Sequence, residues 1–277
     1  MKFKINRPQN FDLTQIFNCG QCFRFNKHPE KTNTYCGVAF DKYLEISQDD
    51  SYIIFNDVTQ EEYNGIWRNY LDIDRDYQLL IDSFNDDKIL YEASCFSSGI
   101  RILRQDPWET LCSFIISQNN NIPRIKGIIE NMSKAFGKKI AADGKTEYYS
   151  FPSARALYES GEDAIFALKT GFRAKYIYDA ASKIVNGNIN LNSIFDMPLD
   201  KAAQTLMTIK GVGPKVAACV LLFGFSKYDA FPIDVWVKRI LTNYYSDGIS
   251  HHFTGEYAGI AQQYLFYYER CKNNIYL

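Results

Sequence analysis

The strongest structural signal in this sequence is a tight turn that leads directly into a helix. The segment reads Gly211-Val212-Gly213-Pro214-Lys215. Two glycines around one apolar residue permit a sharp turn, and their N–H groups can approach a phosphate closely because no side chain intervenes. Pro214 suits the first position of a helix, since an N–H group there has no helical partner. The segment therefore predicts a phosphate-binding hairpin between two helices.

Lys215 and Asp234 form a candidate chemical pair beside this hairpin. Lys215 falls in the first turn of the predicted helix, where the positive end of the helix dipole disfavours the charged amine. A neutral lysine is a nucleophile that can attack a sugar carbon and form an imine, while a carboxylate can stabilise a cationic transition state. The alternative is that Lys215 is a solvated side chain and that Asp234 caps the helix predicted from Val235. The sequence alone leaves both interpretations open.

Composition and charge restrict the class of protein. The 277 residues are 46% hydrophobic and 23% charged, which is typical of a globular protein. No apolar run approaches the roughly 18 residues that span a bilayer, and Met1 to Asn6 lack the apolar core of a signal peptide. We therefore expect a cytoplasmic protein with no membrane partner. The formal charge of −1 excludes a broadly basic nucleic-acid binder, so any phosphate-facing surface must be local.

The apolar pattern changes along the chain and predicts an α+β fold. Up to about Phe55, short aromatic and β-branched runs separated by polar turns indicate a small antiparallel sheet. From Thr59 onward the spacing is mostly helical. We predict an N-terminal sheet domain with flanking helices over residues 1–97 and a helical domain with a helix-hairpin-helix motif over residues 98–277. Strands are predicted at 35–40, 43–46 and 52–55, and helices from 59, 107 and 122 and at 153–159, 173–185, 199–208, 214–223, 235–243 and 255–270.

Two polar motifs could contact bases. The amides from Gln118 to Asn121, followed by Arg124, belong to residue types that read base edges. A polar loop with an asparagine cap explains them without DNA and is favoured on the sequence alone. Phe172 beside Arg173 could form a wedge between bases, although a phenylalanine after a glycine is more often a core residue.

Two further motifs have competing explanations. Gln262 and Phe266 share one helical face, which suits a base pocket as well as core packing. Cys19 and Cys22 have the spacing of a redox or zinc pair. No second such pair accompanies them, and the three histidines show no metal spacing, so we do not predict a zinc or redox site. The odd number of cysteines, seven, indicates reduced thiols.

Together these residues resemble a known group of DNA repair enzymes. The hairpin from Gly211 to Lys215 and the segment Pro232-Ile233-Asp234 are similar to the helix-hairpin-helix, Gly/Pro...Asp superfamily of DNA base-excision glycosylases. Segments 20–24, 103–107 and 117–125 resemble the 8-oxoguanine DNA glycosylase family within it. The resemblance covers nearly the whole chain and implies double-stranded DNA as the partner. With it we expect a monomer in the bacterial or archaeal cytoplasm, associated with the nucleoid.

The resemblance implies specific roles at the lesion. Lys215 is expected to attack C1′ of the damaged nucleotide through a Schiff base, with Asp234 stabilising the developing charge, and β-elimination then nicks the strand. The Gly20 carbonyl is expected to accept a hydrogen bond from N7–H, a proton that 8-oxoguanine has and guanine lacks. The flipped base is expected to lie between Cys219 and Phe266, with Gln262 on its pairing edge.

The resemblance also implies how the DNA is held. The residues expected at the orphaned cytosine are Asn119, Arg124 and Arg173, with Phe172 as a wedge in place of a tyrosine and Gly211 and Gly213 at a phosphate. Trp236 stands where a histidine contacts phosphate, which puts that contact in doubt. Backbone carbonyls of Met207, Ile209 and Val212 match those that hold a cation against a phosphate. No cofactor is required, and no iron–sulfur cluster is expected because four closely spaced C-terminal cysteines are missing.

The leading hypothesis is a bifunctional glycosylase and lyase that excises 8-oxoguanine opposite cytosine. One alternative keeps this chemistry but changes the lesion to another oxidised or alkylated base, and Gly20 argues against it. The other alternative is a DNA-binding module that uses the hairpin without chemistry. That alternative leaves Lys215 and Asp234 unexplained.

Overall fold

The N-terminal part of the protein is a five-stranded antiparallel sheet. The computed structural model describes residues 2–143 and 146–272, and the sheet has the strand order β1-β5-β4-β3-β2. The predicted strands correspond to β3, β4 and β5. The edge strand β2 was not predicted because it has only two residues. β1 was missed although its alternation of lysines with apolar residues is typical of an edge strand. The strands are β1 Lys2–Asn6, β2 Asn26–Lys27, β3 Thr34–Ala39, β4 Lys42–Gln48 and β5 Tyr52–Asn56.

One face of this sheet forms a core with short helices. Ile46 lies opposite Phe55 in the register of β4 and β5, and both side chains are fully buried. Trp67 is buried in the same cluster. The predicted start at Thr59 is confirmed, since its Oγ1 accepts the N–H of Glu62 at 3.1 Å. The helical elements of this part are α1 Leu13–Asn18, α2 Gln60–Glu62, a π-helical segment Tyr63–Trp67 and α3 Arg68–Tyr70.

The remainder is mainly helical and surrounds a second, larger core. α6 is its central helix: Asp106 caps it by accepting the N–H of Glu109 at 2.8 Å, and Leu111 and Ile115 are fully buried. The helices are α4 Tyr77–Ser83, α5 Lys88–Phe96, α6 Pro107–Ser117, α7 Ile122–Phe136, α8 Ala154–Ile165, α9 Ala174–Val185, α10 Leu191–Ile194, α11 Leu199–Met207, α12 Pro214–Phe225, α13 Val235–Tyr244 and α14 Ala258–Lys272. Each predicted helix thus has a counterpart in the structure.

The two cores meet around buried Arg101. Its guanidinium is only 2% exposed and donates hydrogen bonds to the carbonyls of Gln9, Asn10 and Asp72. α4 and α5 pack into the helical core, where α14 lies against α5. These helices therefore share a core with the second part of the chain, and the boundary expected near residue 97 stays a prediction.

A small hairpin was not predicted from the sequence. It consists of β6 Lys139–Asp143 and β7 Thr146–Tyr149. The ring of Tyr148 lies 4.4 Å from that of Tyr43, measured between centroids, so the hairpin packs against the N-terminal sheet. This contact joins residues far apart in sequence, which explains why local patterns gave no signal. Within residues 2–143 and 146–272, no helix has the length and apolar character needed to cross a bilayer.

Glu109 makes a pH-dependent contribution to stability. Its side chain is 19% exposed, and its Oε2 lies 3.8 Å from Nη1 of Arg24. Burial raises the pKa of Glu109 from 4.5 to about 7, and Arg24 opposes this shift. Between pH 4.5 and about pH 7, the folded protein keeps a proton on Glu109 that the unfolded chain releases. The free energy of unfolding therefore decreases as the pH rises through this range.

Glu109→Gln is expected to flatten this dependence. Because the difference between the two pKa values is worth about 3 kcal/mol, the fall in unfolding free energy between pH 5 and pH 8 should shrink by up to about that amount. Urea denaturation of both proteins at the two pH values measures it. An unchanged pH dependence in the variant would show that Glu109 does not titrate in this way.

Candidate active site

The predicted hairpin joins α11 to α12. Gly211 has a positive φ of 74°, and a Cβ on it would lie 2.3 Å from a ring carbon of Tyr176, so only glycine fits there. Val212 donates its N–H to the carbonyl of Ile209 at 3.1 Å. Gly213 has ordinary extended backbone and open space around it, and it precedes Pro214 at the start of α12. The helix-hairpin-helix prediction is confirmed, although only the first glycine is required by conformation.

A cavity of about 50 Å³ lies beside the start of α12. It has room for a few water molecules, at roughly 10–15 Å³ for each. Six of the residues singled out in the sequence line this cavity: Gly20, Lys215, Cys219, Asp234, Gln262 and Phe266.

Lys215 lies next to apolar aromatic side chains. It is the second residue of α12 and half-buried, and its Nζ is 5.4 Å from the ring centroid of Phe114. Phe114 stacks on Phe223 with centroids 5.4 Å apart. One helical turn after the lysine, burial raises the pKa of the Cys219 thiol, Lys215 opposes that effect and Asp234 adds to it. These electrostatic effects place the lysine, the thiol and the carboxylate near one another.

Asp234 caps a helix and also lines the cavity, so the two interpretations that the sequence left open are compatible. Its Oδ1 accepts the N–H groups of Trp236 and Val237, both at 2.9 Å, so it caps α13. The same residue lines the cavity. Within the described part of the chain, no hydrogen bond ends on its second oxygen, Oδ2. One oxygen therefore holds the helix while the other is available to a positive charge in the cavity.

Three residues can meet the edges and faces of a base. Gly20 has a φ of 82° and lines the cavity from the N-terminal part. Gln262, 4% exposed, has an Oε1 that is buried without a partner among the described residues. Such an oxygen costs about 1–3 kcal/mol unless a ligand donates to it. Half-buried Phe266, one helical turn beyond Gln262, provides a flat apolar wall.

The predicted DNA contacts lie together at the turns before α7 and α9. Asn119 and Arg124 are exposed, and Phe172 is 47% exposed with the Arg173 guanidinium 4.4 Å from its ring centroid. Arg173 is 2% exposed and donates to the carbonyls of Gln118 and Asn119. In this conformation Arg173 holds the turn that carries Asn119. The other three side chains face outward, and their contacts with DNA stay predictions.

Asn121 is the asparagine cap that the DNA-independent interpretation of this motif predicted. Its Oδ1 accepts the N–H of Arg124 at 3.0 Å, so it caps α7. The cap and the base-reading hypothesis are compatible, because Asn119 and the Arg124 side chain remain exposed.

Sequence reasoning missed two polar residues near the cavity. Gln263 lines it next to Gln262. Arg270 lies with its guanidinium carbon 5.3 Å from the ring centroid of Phe266 and 6.0 Å from that of Trp236, and Trp236 also contacts Arg239. Arg270 could have been found by extending the face shared by Gln262 and Phe266 by one more turn.

The Cys19 and Cys22 pair has no sign of redox activity. Both thiols are buried and reduced. Burial raises the pKa of Cys22 to about 12 and that of Cys19 still further, so neither is a thiolate at neutral pH. Their role is packing around Gly20.

Two family models together match most of this chain. A family model described as the N-terminal domain of 8-oxoguanine DNA glycosylase matches residues 4–111, and one described as HhH-GPD superfamily base excision DNA repair protein matches residues 112–251. An N-glycosylase/DNA lyase from Saccharomyces cerevisiae is 34% identical over an alignment of 270 residues, and the alignment covers 86% of this chain and 69% of the yeast protein.

Solved structures extend this likeness to nearly every residue. A structure of MBOgg1 in complex with a low affinity DNA ligand has a TM-score of 0.92 and 41% identity, covering 98% of this chain and 96% of that one. The Clostridium acetobutylicum 8-oxoguanine glycosylase/lyase, in complex with double-stranded DNA containing cytosine opposite to 8-oxoG, has a TM-score of 0.89 and 38% identity, with 99% of each chain covered. The chain therefore belongs to the 8-oxoguanine DNA glycosylase family of the HhH-GPD superfamily of base excision DNA repair proteins.

Proposed function

We propose that this protein excises 8-oxoguanine opposite cytosine from duplex DNA and then cleaves the strand at the abasic site. The observation that carries the proposal is one cavity in which Lys215 and Asp234 meet Gly20 and Gln262. The first two residues supply chemistry at the sugar, and the other two supply acceptors for the base. The family membership of the chain supports the same activity.

Lys215 acts as the nucleophile. In its neutral form, Nζ forms a bond to C1′ while the glycosidic bond breaks and its electron pair leaves with the base. Oδ2 of Asp234 stabilises the positive charge that develops on the sugar. The attached amine loses a proton and the sugar ring opens, which gives an imine. Loss of a proton from C2′ then expels the 3′ phosphate, and water releases Lys215 from the imine.

The base is recognised through groups that already lie in the cavity. The Gly20 carbonyl accepts the N7–H of 8-oxoguanine, and the amide of Gln262, whose Oε1 is buried without a partner among the described residues, meets the pairing edge. Cys219 and Phe266 enclose the two faces of the ring. These contacts offset the few kcal/mol that extrusion of a base from the duplex costs. Guanine lacks the N7 proton, so it would leave the Gly20 carbonyl unpaired.

The hairpin holds the backbone of the damaged strand. The N–H groups around Gly211 and Gly213 face a phosphate, as does the positive end of α12. A cation between this phosphate and the carbonyls of Met207, Ile209 and Val212 is part of the proposal. The donor set fits, because the carbonyls of Met207 and Val212 accept no hydrogen bond within the described residues. Carbonyl oxygens suit hard cations, whose charge would offset that of the phosphate.

Borohydride trapping tests the proposed function. The substrates are duplexes with 8-oxoguanine opposite each of the four bases, with undamaged guanine opposite cytosine as the control. We expect a covalent protein–DNA adduct that requires the lesion and is most abundant opposite cytosine, because Asn119 and Arg124 are available to that base.

The other outcomes separate the alternatives. Released base without an adduct would indicate a glycosylase that lacks the imine step. Duplexes that carry another oxidised or alkylated base are tested in parallel, and an adduct that forms only with these would identify a different lesion. Duplex binding with neither product would indicate a non-catalytic helix-hairpin-helix module.

A further inference from the structure

We propose that Gln263 and Gln105 are positioning residues for the recognition of 8-oxoguanine. They fix the distance between the Gly20 carbonyl and the Gln262 amide. This inference rests on the proposed function and extends it to two residues that need not touch the reacting atoms.

The carbonyl groups on both sides of Gly20 are held by glutamine side chains. Nε2 of Gln263, on α14, donates to the carbonyl of Cys19 at 2.7 Å. Nε2 of Gln105, just before α6, donates to the carbonyl of Gln21 at 2.8 Å. Gln263 is 3% exposed, so water does not replace its hydrogen bond readily. The turn is thus anchored to α14 and to the segment that leads into α6.

A third glutamine anchors the turn from inside. Nε2 of Gln21 donates to the carbonyls of Ile16 and Arg101, both at 2.9 Å, and its Oε1 accepts the N–H of Leu103 at 2.9 Å. Among the hydrogen bonds of residues 2–143 and 146–272, none ends on the carbonyl of Gly20 itself. The neighbouring peptide groups are therefore fixed, while the carbonyl that would contact the base is left available.

This arrangement compensates for the flexibility of glycine. Gly20 has a positive φ and no Cβ, and a turn built on glycine is intrinsically mobile. The anchors restrict that mobility without placing a side chain in the cavity, where a base must approach the backbone.

Gln263 also links the two base contacts to each other. It directly follows Gln262 on α14. Gln262 presents its amide to the pairing edge, and Gln263 holds the backbone next to Gly20. A carbonyl recognises an N–H donor only within a narrow range of distances. A displacement of about 1 Å at a reacting centre can cost on the order of 10²-fold in rate. Recognition of the single N7 proton therefore depends on this spacing.

Gln263→Met tests the inference, because methionine has a similar length and cannot donate a hydrogen bond. Two rates are compared under single-turnover conditions: excision of 8-oxoguanine opposite cytosine, and strand cleavage at a preformed abasic site opposite cytosine. The abasic site has no base and therefore does not require the Gly20 contact. We expect excision to fall about 10- to 100-fold, with abasic-site cleavage unchanged.

Gln105→Met removes the hydrogen bond on the opposite side of the turn. It should also lower excision and leave abasic-site cleavage unchanged. It also keeps the inference testable if Gln263→Met does not fold. Gln78→Met is the matched control, because Gln78 lies in α4 and its amide contacts Asn10 and Asp82 instead. Both of its rates should equal those of the unmodified protein.

The results distinguish this inference from the proposed function. If the unmodified protein acts on neither substrate, the proposed function fails. If it acts on both, and the Gln263 and Gln105 variants either match it or lose both rates equally, the positioning role is overturned. A selective loss of excision in the variants supports it.

Discussion

Lys215→Gln should abolish the borohydride-trapped adduct and lower 8-oxoguanine excision by on the order of 10³-fold or more, since loss of a nucleophile removes the covalent route altogether. Glutamine keeps a polar side chain of similar length at the start of α12 but has no amine to attack C1′. Binding to duplex DNA should persist, because the hairpin and the exposed Arg124 are untouched. Single-turnover excision and duplex affinity, measured on the same preparation, test both parts of the expectation.

The matched control for this substitution is Lys201→Gln. Lys201 is an exposed lysine on α11 that does not line the cavity. Its replacement removes the same charge and should leave the adduct and the rate unchanged. Equal excision by the Lys215 variant and the unmodified protein would eliminate the lysine mechanism.

Asp234→Asn is expected to slow excision by about 10²- to 10³-fold, the cost typical of removing one electrostatic contribution at a transition state. Asparagine caps a helix about as well as aspartate does. The substitution should therefore preserve the hydrogen bonds to the N–H groups of Trp236 and Val237, and the melting temperature should change little. Only the negative charge in the cavity is removed.

Asp234→Ala separates the two roles of this residue. It removes both the charge and the cap, so it should add a loss of about 1 kcal/mol in stability. Thermal unfolding and single-turnover excision of the two variants provide the comparison. If Asp234→Asn retains full activity while Asp234→Ala is merely unstable, Asp234 is a helix cap without a chemical role.

The parts of the fold that the sequence predicted correctly are those determined by contacts between residues close together in the chain. Thr59, Asp106 and Asn121 all cap helices where the sequence predicted helix starts. The hairpin at Gly211 was also predictable, because a tight turn before a proline is specified by adjacent residues. In each case the interacting atoms lie within a few positions of one another.

The features that the sequence did not predict depend on contacts across the fold. The hairpin of β6 and β7 packs against the sheet through Tyr43 and Tyr148, which are far apart in the chain. The hydrogen bond from Gln263 to the Cys19 carbonyl joins opposite ends of the sequence. Polar residues on the apolar face of a helix were the available signal for Gln263, but they do not identify a partner.

Arg173 shows how burial changes an interpretation. As a residue type it suited contact with the orphaned cytosine, yet the structure has its guanidinium buried against backbone carbonyls. Sequence patterns identify the charge of a side chain but not whether its donors are already used. Of the two arginines, exposed Arg124 is the one whose side chain faces outward.

The closure of the cavity by α14 has a consequence for biosynthesis. A ribosome makes the chain from its N-terminus, so Gly20, Lys215 and Asp234 are all translated before the helix that carries Gln262, Gln263 and Phe266. A nascent chain therefore contains its reactive amine before it contains the groups that enclose a base. Enclosure of the base therefore requires that α14 has been synthesised and has packed against α5, which was translated much earlier.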